Sequence, residues 1–324
     1  MNKLNKPEAQ HIINEYYRRK TPFLFLIDFE CKKNHVIPLS EMDSKEVLYE
    51  IHGQRNFEYD ISKKHSVSVK FDPIEFKDYE EAYNQIKREI KLGNSYLANL
   101  TFETPIQSKH TIKDIFYNSK AKYKLWLKDE FVVFSPETFI KIENNELSSF
   151  PMKGTIDASL ADAEKSLLSN KKEIAEHVTI VDLIRNDMSI NADNVTVEAF
   201  RYVDEIKTDN KSLLQVSSKV TGSMKLSIQL GDLIFSLLPV GSISGAPKNK
   251  TLEILDRVEN YKRGYYTGVF GIFDGVKLDS GVMIRFIEDQ NGKLVYKSGG
   301  GIHHLSDVHS EYQELIDKIY VPVS

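Results

Sequence analysis

The chain has 324 residues, of which 41% are hydrophobic and 28% are charged, which is ordinary globular composition with enough apolar material for a large core. Its formal net charge is -4 and both signs are mixed along the chain, so the sequence lacks the basic patch that nucleic acid or a membrane surface requires. No stretch approaches the roughly 20 apolar residues of a membrane helix, the start of the chain lacks the apolar core of a signal peptide, and the lone Cys31 excludes an intramolecular disulfide, so we expect a cytoplasmic protein.

Hydrophobic spacing and turn residues predict the secondary structure. Strands are predicted where apolar runs are bounded by turn residues: 21–29, 96–102, 131–134, and a hairpin of 139–142 and 146–150 around Asn144-Asn145. Helices are predicted where apolar residues recur at three- and four-residue steps: 78–91, 171–188, 247–258 with Pro247 in its first turn, and a last helix after Asp307. Strands and helices occur in runs, and no low-complexity linker divides them, which favours one large α+β domain.

Lys153 lies in the segment Pro151-Met-Lys-Gly-Thr155, between a residue that fixes the backbone and one that frees it. A lysine in a partly desolvated pocket can lose its proton and act as a nucleophile or base. Taken alone, however, an isolated lysine near a turn is far more often a solvated surface residue.

Two predicted helices each carry a pair of acids three residues apart: Glu173 and Glu176 on one, Glu311 and Glu314 on the other. This spacing puts both carboxylates of a pair on one helix face. If the two faces converge, hard oxygen ligands are available for Mg²⁺. By spacing alone, two solvated helix faces are the commoner arrangement.

Glycine-rich segments open two predicted helices: Gly241 to Lys248 contains Gly245, and Gly299-Gly300-Gly301 comes before the last helix. Such loops expose backbone N–H groups near a helix N-terminus, where an anion is favoured. Plain turns are the alternative.

Seven segments spread from about Asp78 to Tyr320 stand in a distinctive order: 135–139, 151–155, 176–187, 241–248, 263–268, 284–285 and 299–314. Together they resemble the chorismate-utilising enzymes, a family that includes anthranilate, aminodeoxychorismate, isochorismate and salicylate synthases. The resemblance implies packed antiparallel β-sheets flanked by helices in a single large domain. Residues 1–77 would form its N-terminal part and 78–324 its chorismate-binding catalytic core.

Residue 153 separates the amine-transferring branches of this family. Anthranilate synthases typically carry alanine there, whereas aminodeoxychorismate synthases carry lysine, so Lys153 makes this chain similar to the second branch. The resemblance then implies that Lys153 attacks C2 of chorismate as the C4 hydroxyl leaves, and that ammonia adds at C4 and expels the lysine.

The resemblance also implies roles for the other matching residues. Glu137 would protonate the departing hydroxyl. The carboxylates at 176 and 314 would ligate Mg²⁺, supported by those at 173 and 311. The two substrate carboxylates would be held by the following residues: Arg285, Tyr266, Thr155, Lys248, and the amides around Gly245 and Gly300.

Two positions depart from the family pattern. Gln215 stands where a histidine is usual, so a contact near the leaving hydroxyl would differ. Leu97 replaces the lysine of isochorismate synthases, which argues against isochorismate chemistry. The chain is also expected to lack the tryptophan-binding extension and a fused lyase.

No glutaminase motif is visible, so the resemblance implies that ammonia comes from a separate glutamine amidotransferase partner. The expected product feeds p-aminobenzoate and folate biosynthesis. Two alternatives stay open: an anthranilate synthase component I, against which Lys153 counts, and a non-catalytic chorismate-binding subunit.

Overall fold

The computed structural model describes residues 2–58, 67, 69–207 and 212–322. In this part of the chain, two nine-stranded sheets with antiparallel pairing are flanked by helices, which confirms the single α+β domain. The helices are α1 (Lys6–Arg19), α2 (Phe76–Lys91), α3 (Ile112–Asn118), α4 (Ala163–Ser169), α5 (Lys171–Asn191), α6 (Leu230–Ser236), α7 (Gly241–Ser244), α8 (Lys248–Val258) and α9 (Val308–Asp317), with one 3₁₀ turn at Leu39–Glu41. None of the helices described is both long enough and apolar enough to cross a membrane.

The first sheet has the spatial order β11 (Met152–Asp157), β13 (Ser212–Met224), β10 (Glu146–Ser149), β9 (Thr138–Glu143), β16 (Leu278–Val282), β15 (Val269–Phe273), β1 (Phe23–Ile27) and β2 (His35–Pro38), with β12 (Ala192–Lys207) on β13. The second has the order β14 (Gly245–Ala246), β6 (Leu97–Gln107), β18 (Lys293–His303), β17 (Phe286–Gln290), β8 (Phe131–Ser135), β7 (Tyr123–Leu127), β3 (Val47–Ile51) and β4 (Gln54–Arg55), with β5 (Lys70–Phe71) on β6.

The unbroken apolar run of β1 reflects burial on both faces of the first sheet. Leu24 and Leu26 pack against the second sheet, in a cluster that includes Leu125 and Phe286. The alternate residues of β1 pack on the opposite face in the cluster that contains the apolar side of α5. Because side chains alternate across a strand, such a run needs apolar neighbours on both sides.

The predicted hairpin between β9 and β10 is confirmed. Asn144 and Asn145 have φ values of +49° and +65°, which is the geometry of a two-residue type I′ turn. The last helix is also confirmed, since Asp307 caps α9 by accepting a hydrogen bond from the Ser310 amide. The prediction for Pro247 is wrong by one position: this proline is the N-cap of α8 and not a residue of its first turn.

Helix α1 is an element that the sequence analysis did not predict. It begins with a capping box in which Asn5 and Glu8 bond reciprocally. Its buried apolar side chains, Ala9 and Ile13, join the core beside α6.

Lys153 and the predicted acid pairs lie where both sheets meet two helices. Helix α5 packs against β11, β12 and β13 of the first sheet, and α9 packs against β18 of the second. The N-terminal turns of α5, the inner face of α9, and the strands β11 and β18 therefore surround one small volume.

Candidate active site

Lys153 stands beside a bulge in β11. The pairing with β13 shifts register between Lys153 and Thr155, and the intervening Gly154 has a φ of +74°. Glycine adopts this left-handed conformation without a Cβ penalty, and a bulge re-aims the neighbouring side chain. The Lys153 Nζ lies 3.0 Å from Glu176 Oε2, and 17% of the lysine side chain is exposed. Lys153 is therefore a largely buried residue and not a solvated surface lysine.

Strand β18 forms the floor beneath this lysine. A Cβ placed on Gly301 would lie 3.0 Å from Lys153 Nζ, 3.3 Å from Glu176 Oε2 and 3.3 Å from Leu97 Cδ1. The strand approaches the amine so closely because residue 301 has no side chain. Leu97, which is 2% exposed, adds an apolar wall at this point.

The four carboxylates of α5 and α9 converge, which is the condition for a shared site on the two helix faces. They surround the ammonium group of Lys172, a residue in the first turn of α5. Its Nζ lies 2.5 Å from Glu311, 3.6 Å from Glu176, 3.6 Å from Glu314 and 4.0 Å from Glu173, measured to the nearest carboxylate oxygen. The two helix faces are therefore not simply solvated.

Charge and burial divide the four carboxyl groups into two kinds. Burial opposes ionisation of Glu176, but Lys153 and Lys172 outweigh it and hold the pKa of that carboxyl below its usual value. Lys318 does the same for Glu314. Burial raises the pKa of both Glu173 and Glu311. The two residues expected to be the main ligands are thus the two most firmly ionised.

The donor set fits Mg²⁺. Glu176 Oε1 and both carboxylate oxygens of Glu311 are buried and accept no hydrogen bond of good geometry, ion pairing apart. Buried carboxylate oxygens without donors are costly unless a cation compensates them, and Mg²⁺ prefers such hard oxygen ligands. Within the described ranges, however, no three acidic, histidine or cysteine side chains already stand at metal-binding spacing. Metal binding therefore stays a prediction.

Glu137 follows β8 and is buried. The Ser242 hydroxyl on α7 donates a 2.7 Å hydrogen bond to Glu137 Oε1. Burial raises the pKa of Glu137, although that hydrogen bond and the positive charges of Lys153 and Arg285 oppose the shift. A carboxyl group with a raised pKa suits proton donation, as expected for a general acid.

Arg285 and Tyr266 lie close enough to Glu137 and to each other to interact electrostatically. Arg285 adopts a φ of +56°, and its buried Nε has no hydrogen-bond partner. Tyr266 is 3% exposed, and burial raises its pKa, so its phenol stays a neutral donor. An arginine N–H without a partner and a neutral phenol are suitable donors for a substrate carboxylate.

Residues 5–324 match the family model described as chorismate binding enzyme. The chain belongs to this family. It is a chorismate-utilising enzyme with the antiparallel two-sheet fold expected from its motifs.

Two relatives are similar to this chorismate-utilising enzyme over most of its length. It is 46% identical over 321 residues to a protein of Haemophilus influenzae called an uncharacterized PabA-like protein, with 97% of each chain covered. It is 30% identical over 259 residues to aminodeoxychorismate synthase component 1 of Salmonella typhimurium, with 75% of this chain and 56% of that protein covered.

A solved structure is similar to this chain in fold. Anthranilate synthase component I from Streptococcus pneumoniae superposes with a TM-score of 0.67 at 25% identity, covering 79% of this chain and 59% of that one. Relatives with both amination activities in their names therefore resemble this chain.

The prediction that Gly299 to Gly301 forms a loop before the last helix is wrong. These residues lie inside β18 and pair with Asn99 to Thr101 of β6. Gly300 is thus a strand residue, and its absent side chain faces Glu311 and Lys318 at ordinary contact distance. Glycine here lets a strand pass under charged side chains and does not supply a turn.

The amide of Gly245 is also not available as predicted. It donates to the carbonyl of Gly241 and caps α7. A Cβ on Gly245, whose φ is +133°, would stand 2.1 Å from the Leu97 carbonyl oxygen. The glycine is therefore required for close approach of β14 to β6.

Lys248 lies apart from the carboxylate cluster of α5 and α9. Its Nζ donates to Asp187 Oδ2 at 2.7 Å and to the Leu237 carbonyl at 3.3 Å. Asp187 is about three turns along α5 from Glu176. The ammonium group of Lys248, which was expected to contact the substrate, therefore pairs with Asp187. The side chain of Thr155 lies outside the described residues.

Three site residues escaped the sequence reasoning: Lys172, Lys318 and Ser242. The lysines stand four residues before Glu176 and four residues after Glu314, so i,i+4 pairing was the available signal. Ser242 carried no signal of its own, because its contact with Glu137 depends on the fold.

A groove of about 1180 Å³ lies elsewhere, between β6, α3 and β18. It contains none of the predicted site residues. The clustered charges, and not the size of a cleft, locate the candidate site.

Proposed function

We propose that this chorismate-utilising enzyme is the component I of an aminodeoxychorismate synthase. It converts chorismate and ammonia to 4-amino-4-deoxychorismate, the precursor of p-aminobenzoate and folate. The observation that carries the proposal is the position of Lys153, whose buried Nζ shares one site with the acid Glu137 and with Glu176.

Lys153 is the nucleophile of the proposed reaction. Its neutral amine forms a bond to C2 of chorismate, the ring double bonds shift, and the C4–O bond breaks. Glu137 gives its proton to the departing oxygen, so that water leaves. Ammonia then attacks C4, the double bonds shift back, and the C2–N bond to Lys153 breaks.

The ion pair with Glu176 holds the amine of Lys153 in position but favours its protonated form. Burial favours the neutral amine, but the carboxylates of Glu176 and Glu314 outweigh it and raise the pKa of Lys153. The amine must therefore pass its proton on before attack, and Glu176 Oε2 lies 3.0 Å away as an acceptor. Leu97 and β18 line one side of this amine.

Arg285 and Tyr266 orient the substrate by binding its carboxylates. A dianionic substrate needs such donors, because an uncompensated buried carboxylate costs several kcal/mol. Glu176 and Glu314, supported by Glu173 and Glu311, would hold Mg²⁺. Once bound, the ion would neutralise a substrate carboxylate and stabilise the charge that develops on it.

Ammonia comes from a separate glutamine amidotransferase in this proposal. The sequence shows no glutaminase motif, and the one cysteine, Cys31, has a pKa raised to about 11 by burial, which does not suit a nucleophile. The PabA-like name of the Haemophilus relative is consistent with such an assembly.

The test is product identification. The purified chain is incubated with chorismate, Mg²⁺ and excess ammonium at mildly alkaline pH, followed by an aminodeoxychorismate lyase. p-Aminobenzoate supports the proposal, whereas anthranilate makes the chain an anthranilate synthase component I. No product, with binding of chorismate retained, indicates a non-catalytic subunit.

A further inference from the structure

Lys172 is the residue that contacts all four carboxylates of the candidate metal site. Its distances to them run from 2.5 Å at Glu311 to 4.0 Å at Glu173. Among the described ion pairs, Lys153 reaches Glu176 and Lys318 reaches Glu314, each touching one member of the cluster. The ammonium group of Lys172 therefore stands at the centre of the site.

Each of the carboxylates of Glu176 and Glu314 has one oxygen near Lys172 and the other oxygen near a different lysine. Lys153 holds Glu176 Oε2 and Lys318 holds Glu314 Oε1. The opposite oxygens, Glu176 Oε1 and Glu314 Oε2, face Lys172, each at 3.6 Å. The oxygens turned toward Lys172 are therefore the ones that a metal ion would use.

Charge balance favours an exchange of one cation for another. Four carboxylates and three ammonium groups leave the cluster with a formal net charge of -1. If a divalent ion replaced the ammonium group of Lys172, the formal charge would be zero. If the ion were added while Lys172 stayed, the cluster would carry +1 and two cations would repel each other.

Distance would place the two cations close enough to repel each other. An Mg²⁺ ion bound roughly 2.1 Å from Glu311 Oε1 would lie within about 4.6 Å of Lys172 Nζ in its present position. The lysine can leave without any change in the helix, because its side chain is 22% exposed and begins in the first turn of α5. A flexible four-carbon stem lets the ammonium group turn outward into water.

We infer that Lys172 is an internal competitor of the metal ion: its ammonium group holds the four carboxylates together, and a divalent cation binds by displacing it. This inference rests on the metal site of the proposed function. Lys172 is then a positioning residue that sets the metal affinity of the enzyme. Removing its charge raises that affinity and leaves the ligands unchanged.

Binding of Mn²⁺ tests this directly, with the free ion measured by electron paramagnetic resonance. Lys172→Met removes the charge and keeps the length of the side chain, whereas Lys172→Arg keeps the charge. Lys171→Met is the matched control, because Lys171 is exposed on the same turn. We expect Lys172→Met to bind Mn²⁺ about tenfold more tightly than the wild type or more, since such couplings span roughly 5- to 150-fold. The Lys171→Met and Lys172→Arg chains should not gain affinity.

The outcomes separate the inference from the proposal beneath it. If the wild type binds Mn²⁺ and Lys172→Met binds no more tightly, the competition is overturned and the metal site stands. If neither chain binds Mn²⁺, the metal site falls and the inference falls with it. Product identification, which does not involve Lys172, tests the amination chemistry separately.

A second measurement covers the case in which Lys172→Met fails to fold. A crystal structure of the wild-type chain grown with Mn²⁺ should show Lys172 Nζ withdrawn from Glu311 Oε1 and turned to solvent. Mn²⁺ bound among the carboxylates with Lys172 still in contact with Glu311 would overturn the inference.

Discussion

Gly301 and Lys153 are so close that a Cβ on the glycine would stand 3.0 Å from the lysine Nζ. Contacts below 3.4 Å are tighter than nine in ten real Cβ contacts, so one partner must shift. The same Cβ would lie 3.3 Å from Glu176 Oε2 and 3.3 Å from Leu97 Cδ1. The amine of Lys153 is therefore held by the shape of β18 as well as by charge.

A methyl group at residue 301 is expected to displace the amine. Gly301→Ala should lower the rate of chorismate amination by about tenfold or more, because small displacements of a reacting group are costly. Steady-state rates with ammonium as the nitrogen source measure the loss. Gly300→Ala is the matched control for a methyl group in the same strand, since the nearest neighbour of its Cβ would lie 3.8 Å away, at ordinary contact distance. Equal losses in both variants would refute a specific contact with Lys153.

Removal of the acid at residue 137 should slow the chemical step. Glu137→Gln keeps the size of the side chain and its contact with Ser242 but cannot protonate the C4 oxygen. We expect kcat to fall by roughly 10²- to 10⁴-fold, the usual contribution of a general acid.

The matched control is Glu143→Gln, which removes an exposed carboxylate at the far end of β9 that pairs with Lys277. Chorismate binding, measured by calorimetry, should change little in either variant. A Glu137→Gln enzyme with an unaltered kcat would contradict the proposed role of the acid.

Loss of one ligand should raise the requirement for metal. Glu314→Gln removes the carboxylate whose pKa Lys318 and the other lysines hold well below its usual value. The Mg²⁺ concentration for half-maximal activity should increase by about tenfold or more, since lost charge weakens a hard-ion site. Asp317→Asn, an exposed change of equal charge on α9, is the control. Activity that survives EDTA in the wild type would exclude the metal role altogether.

His35 provides a pH test of stability away from the site. It is buried and shares a 2.9 Å hydrogen bond with the Tyr265 hydroxyl, and burial lowers its pKa from the ordinary 6.5. The unfolded chain therefore takes up a proton at a higher pH than the folded chain does. The folded state loses stability as pH falls below about 6.5 toward the lowered pKa.

The free energy of unfolding, from urea titrations between about pH 7 and pH 5, should fall less steeply in His35→Gln than in the wild type. His11→Gln removes an exposed histidine and is the control. Parallel pH profiles for all three chains would show that His35 does not contribute to this dependence.

Local signals explain which elements the sequence predicted well. The turn at Asn144-Asn145 and the cap at Asp307 depend on residue preferences within a few positions, and both were found where expected. The acid pairs on α5 and α9 were also visible, because a three-residue spacing fixes a shared helix face.

Contacts between elements distant in the sequence determine the features that the sequence did not predict. Gly299 to Gly301 has the composition of a turn, yet ten residue pairs join β18 to β6 along its whole length and hold these glycines in a strand. Burial and cross-strand pairing outweigh the local preference of glycine for turns. The central position of Lys172 likewise required the approach of α9 to α5.

Product formation by Lys153→Ala tests the central claim most directly. The wild type, the variant and a Lys171→Ala control are incubated with chorismate, Mg²⁺ and ammonium, treated with aminodeoxychorismate lyase, and analysed by mass and chromatography. We expect p-aminobenzoate from the wild type and the control. Lys153→Ala should lose it by about a hundredfold or more, with any residual product shifted to anthranilate because ammonia then adds at C2. Full p-aminobenzoate formation by Lys153→Ala would contradict the lysine adduct and the function built on it.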